Sequence, residues 1–113
     1  MDAEGWDFEV LEGHDFDRLR PSVVFVEYGA ARQRPKLLGV LDDMKTRGYS
    51  ALLFNYMDDG NFRKGIWQHR LISILPGRRA GELKPEAFGN ILFYDRDDPF
   101  IPLAIADLLG SFR

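Results

Sequence analysis

Three carboxylates stand where this sequence would put chemistry: Asp2, Glu4 and Glu27. Residues 1–13, MDAEGWDFEVLEG, describe a strand end that runs through an acidic turn into a short helix, with Phe8 and Leu11 at helical spacing and Gly13 as the stop. Glu27 closes the apolar run Val23-Val24-Phe25-Val26. In an open α/β sheet, ligands bind beyond the carboxyl ends of the strands. A carboxylate there can hold an ammonium group or accept the proton of a hydroxyl. Each acid also has a purely structural use. Asp2 or Glu4 can cap the helix that follows, and Glu27 can pair with a loop arginine.

The elements that must position these acids follow from the hydrophobic pattern. Asp15 to Leu19 adds a turn before Pro21. Ser22 to Glu27 reads as a strand covered on both faces, as in the middle of a parallel sheet, because it holds four consecutive apolar residues, three of them β-branched. Gly29 to Arg34 reads as a loop, and Pro35 suits the first turn of a helix. Leu37, Leu38, Leu41 and Met44 fall on one stripe of that helix, and Gly48 ends it. Tyr49 to Tyr56 is the next strand, so helix and strand alternate and imply a layered α/β fold with a parallel pair. Asp58-Asp59-Gly60-Asn61 signals a turn. Ile66 to Leu75 reads as a strand, Pro76 to Pro85 as a loop and Asn90 to Tyr94 as a buried strand. Pro102 to Phe112 reads as a C-terminal helix.

Composition narrows the function. A chain of 113 residues has room for one domain. A net charge of −3 gives no general attraction to nucleic acid or to an anionic membrane, and the basic residues at Arg32, Arg34, Lys36, Arg78 and Arg79 read as solvated loops. With no cysteine there is no disulfide, thiolate metal site or cysteine nucleophile, which fits a cytoplasmic protein. The acidic N-terminus is no signal peptide, and no apolar run approaches the ~20 residues that span a bilayer. His14 and His69 lack a second ligand at metal spacing. The run Asp95-Arg96-Asp97-Asp98 lacks the glycine and distal glutamate of a calcium loop and reads as a turn. Trp6 and Trp67 read as packing residues.

A family resemblance runs from residue 1 to about residue 94. Asp2-x-Glu4-Gly5, Glu9-Val10-Leu11-x-Gly13, Arg20-Pro21, Val23-Val24-Phe25-Val26-Glu27, Gly48-Tyr49 and Asn90-Ile91-Leu92-Phe93 together resemble the FkbM family of S-adenosylmethionine-dependent methyltransferases. The resemblance implies α/β architecture: part of a Rossmann-like methyltransferase sheet, with flanking helices. Ser22 to Glu27 would be its fifth strand, Tyr49 to Tyr56 the sixth and Asn90 to Tyr94 the seventh, the last antiparallel between the other two. Residues 95–113 would form a tail helix. It also implies S-adenosylmethionine as cofactor and methyl transfer to a hydroxyl of a small molecule or sugar. Asp2 would stand on the cofactor side, and Glu4 and Glu27 would contact the acceptor or take its proton.

One departure from the family matters. Its glycine-rich turn after the first strand and its ribose-binding acid after the second have no counterpart here. The sequence therefore reads as the C-terminal portion of such a domain, with Met1 an internal residue, inactive by itself. It would be completed by an N-terminal half or by a second copy pairing along the exposed fifth strand. The competing reading is a non-enzymatic interaction module that uses the same strand edge.

Overall fold

The computed structural model describes residues 7–63, 66–84 and 87–112. The order of elements is α1 (Asp7–Glu12), β1 (Val23–Gly29), α2 (Ala30–Thr46), β2 (Tyr49–Arg63), β3 (Ile66–Pro76), a short 3-10 helix (Gly77–Glu82), β4 (Phe88–Asp95) and α3 (Ile101–Phe112). The strands form one open sheet in the order β1-β4-β2-β3. Every neighbouring pair is antiparallel. It follows that β1 and β2 run the same way without touching, because the chain returns late and β4 takes the place between them. The adjacent parallel pair expected from the helix–strand alternation is corrected on this point.

The principal core lies on one face of the sheet. Val24, Val26 and Tyr28 of β1, Ile91 and Phe93 of β4 and Leu53 of β2 meet Phe8 and Leu11 of α1 and Leu37, Val40 and Met44 of α2. These are the alternate positions of each strand and one stripe of each helix, as the two periodicities require. Arg20 ties this layer together at the amino end of β1. Its Nε donates to Asp95 Oδ2 at 3.1 Å, its Nη1 donates to the Arg47 carbonyl at 2.6 Å, and its guanidinium lies over the Tyr49 ring. That hydrogen bond holds the Asp95 carboxyl below its usual range. Gly48, at φ 94°, reverses the chain after α2, and a Cβ there would meet Arg20 Nη2 at 2.9 Å.

Four local readings change. The first strand is covered on one face only: Val23, Phe25 and Glu27 are exposed while their neighbours are buried. On the other face Val23 and Phe25 of β1 stay 44% and 43% exposed, and α3 packs against β4. There Leu52 and Ile105 are buried apart from the principal core. The helix read as starting at Pro35 begins at Ala30, so Pro35 sits inside it and withholds one backbone N–H from the helix ladder. The Asp58–Asn61 turn signal is absorbed as a register slip between Asp58 and Phe62, and β2 continues to Arg63. Residues 77–82 of the expected loop wind into the 3-10 helix. The strand read at Ile66 to Leu75 and the C-terminal helix are both present. Asp98 starts that helix by accepting from the N–H groups of Phe100 and Ile101.

Candidate functional site

Glu27 is the candidate acid that the structure describes; Asp2 and Glu4 lie outside the described residues. Glu27 sits near the carboxyl end of β1, opposite Asn90 of β4 in the strand register. It lines a hollow of about 330 Å³ with Tyr28, Tyr56, Phe88, Gly89 and Asn90. It forms where the carboxyl end of β1, the start of β4 and the last β4-paired residue of β2, Tyr56, come together. A volume near 300 Å³ is at the lower end of small-molecule sites. The hollow offers one carboxylate, one amide and aromatic walls.

Behind the hollow, a single transverse row crosses the sheet. Tyr28 is opposite Gly89, Gly89 is opposite Asn55, and Asn55 is opposite Ser73. Asn55 Nδ2 lies 3.5 Å from Ser73 Oγ. Tyr28 Oη and Asn55 Oδ1 are buried with no hydrogen-bond partner among the described residues. Burial pushes the Tyr28 phenol up to about 12. It therefore stays protonated at neutral pH and serves as a hydrogen-bond donor or acceptor, leaving base chemistry to carboxylates. Gly89 makes the row possible, because a Cβ there would come within 1.8 Å of the Phe54 carbonyl oxygen.

The sequence singled out Glu27 and passed over Tyr28, Tyr56, Phe88 and Asn90. One signal was available. An isolated glycine inside the strand run Phe88-Gly89-Asn90 marks close approach of another backbone. The remaining candidates prove structural where they are described. His14 Nε2 lies 2.7 Å from the Leu19 carbonyl oxygen, with the ring edge-on to Phe16. Asp95 and Asp98 hold Arg20 and the start of α3. Arg79 pairs with Glu82. No cluster of three or more metal-ligating side chains occurs among the described residues, and no helix among them is long and apolar enough to cross a membrane.

With the geometry in place, comparison with known proteins gives one finding. Residues 1–51 match the Methyltransferase FkbM domain. No curated protein and no solved structure matches the chain. The FkbM match covers α1, β1, α2 and the first residues of β2, and so includes all three candidate acids. The match ends at residue 51, short of the residue 94 expected from the sequence, and does not include the β4 residues Asn90 to Phe93. The described residues do not by themselves fit S-adenosylmethionine. They include no glycine-rich turn from a strand into a helix, and the hollow beside Glu27 carries a single acid.

Proposed function

We propose that this chain is the C-terminal part of an FkbM-type, S-adenosylmethionine-dependent methyltransferase domain and supplies its acceptor side. The observation that carries the reading is the sheet order. The last strand enters between two like-directed strands and runs antiparallel to both, as the fifth, seventh and sixth strands of a Rossmann-like methyltransferase would. The FkbM match over residues 1–51 supports it independently. On this reading β1, β2 and β4 are those strands, and the long β2–β3 hairpin is an insertion.

Glu27 then faces a small-molecule or sugar hydroxyl in the hollow and accepts its proton, with Glu4 as the alternative acid and Asp2 on the cofactor side. The walls that hold the cofactor come from a complementary N-terminal half or from a partner copy. Among the described residues, β1 has a neighbour on one edge only, and Val23 and Phe25 are 44% and 43% exposed on its open face. Such an edge accepts another strand. The same observation favours a second reading, a binding module that pairs through β1 without catalysis.

Ultraviolet cross-linking separates the two. The protein is recovered from its own cells through a C-terminal tag and irradiated with methyl-labelled S-adenosylmethionine, beside the 113-residue chain made alone. The proposal expects label in the native assembly and none in the isolated chain. A native species that contains this chain and takes no label favours the binding module. Equal labelling of the isolated chain overturns the division of the site.

A further inference from the structure

We propose a second binding site, at the opposite end of the sheet from Glu27, that takes a small amphipathic anion: a carboxylate or phosphate head on an apolar body. A hollow of about 530 Å³ opens between α2, the first residues of β2, the 3-10 helix and α3. Its centre near Ser50 is about 20 Å along β2 from Tyr56, at the rise per residue of a strand. It is therefore separate from the acceptor hollow, and the proposal does not depend on the methyltransferase reading.

Two properties of the lining select the ligand. Leu38, Leu41, Leu52 and Leu109 give it an apolar floor. Lys45, Arg78 and Arg96 stand around that floor with Asp42 as the only acid in the lining. The chain as a whole carries −3, so this excess of cations runs against the overall charge and draws an anion to this end. Arg96 is held in place, since its Nη2 donates to the Lys45 carbonyl at 2.9 Å and its backbone N–H to the Gly48 carbonyl at 3.1 Å. The side chains of Lys45 and Arg78 make no hydrogen bond or ion pair with any described residue. Their charges remain available to a ligand head group, and a guanidinium grips a carboxylate or phosphate through two N–H groups. Gly77 closes one end of the hollow against Ala51, whose Cβ would lie 3.0 Å from a Cβ on Gly77. At about 530 Å³ the space is well inside the range of small-molecule sites.

Titration calorimetry with octanoate, and with uncharged 1-octanol of the same chain length, tests the proposal. The chain is expected to bind octanoate saturably with one-to-one stoichiometry and octanol about tenfold more weakly. The double variant Lys45→Gln/Arg78→Gln is expected to lose about tenfold in octanoate affinity while its urea midpoint stays unchanged, both residues being exposed. Three results overturn the site: no saturable octanoate heat, equal affinity for octanoate and octanol, or wild-type octanoate affinity in the double variant. The last two would place the binding on apolar surface, such as that around Phe25, without the cations.

Discussion

Gly89→Ala is expected to destabilise the fold by about 3 kcal/mol or more, seen as a fall of about 12 °C or more in the thermal midpoint. The reason is local. The added methyl carbon would stand 1.8 Å from the Phe54 carbonyl oxygen and 3.0 Å from its carbonyl carbon. Those are main-chain atoms of β2, fixed by the ladder that pairs Phe54 with Asn90 and Asn55 with Gly89. No side-chain rotation relieves the overlap, so the strands must part at the row that carries Tyr28 and Asn55. A domain of this size holds only about 5–15 kcal/mol in total. Gly39→Ala is the control. It lies on an exposed turn of α2 where an added Cβ meets nothing within 4 Å, and alanine there is expected to stabilise by about 0.5 kcal/mol. A Gly89→Ala protein with the wild-type midpoint would mean that β2 and β4 are not packed this closely at the candidate site.

The second large effect contrasts two phenylalanines on opposite faces of one sheet. Phe93 is fully buried on β4, opposite Val24 and Ala51 in the two registers. Phe93→Ala is expected to cost about 4 kcal/mol, from lost burial and from the cavity left in a core that α1 and α2 close off. Phe25 faces the other way and is 43% exposed, with an edge-on contact to Phe54 at a centroid separation of 6.2 Å. Phe25→Ala is expected to cost about 1 kcal/mol, mostly that aromatic contact. Urea unfolding of both variants supplies the comparison. Equal losses would mean that the outer face of β1 is covered in the isolated chain, against the reading of an unfinished sheet.

How much of this was legible in the sequence depends on the range of the interaction that decides each feature. Local signals carried well. The Phe8–Leu11 spacing and Gly13 gave α1, the leucine stripe and Gly48 gave the end of α2, and the apolar residues of Pro102 to Phe112 gave α3; its cap at Asp98 did not show. Features decided by distant partners did not carry. The run Val23 to Val26 reads the same whether a second roof is present or not, and only the packed chain reveals that, among the described residues, Val23 and Phe25 stay exposed. The strand interposed between β1 and β2 is set by pairing between residues far apart in the chain, such as Tyr56 with Phe88 and Val23 with Tyr94, which no local pattern encodes; the family resemblance suggested it where the periodicity did not. Asp58–Asn61 has turn composition, yet the hairpin continues past it because β3 offers a pairing edge out to Arg63. For the candidate site, the acidic residue types pointed to Glu27. Its companions Tyr28, Tyr56 and Asn90 look like ordinary strand residues until register places them around Gly89.

Amide hydrogen exchange resolved to single residues of β1, on dilute protein shown to be monomeric by sedimentation, tests the open edge of β1 most directly. An edge strand directs alternate N–H groups toward its one neighbour and the others outward. Across Val23 to Val26 the account predicts alternation: amides facing β4 exchange about a hundredfold or more slowly than those facing away. Protection of all four in the monomer would contradict it, because β1 would then already have a strand on each side.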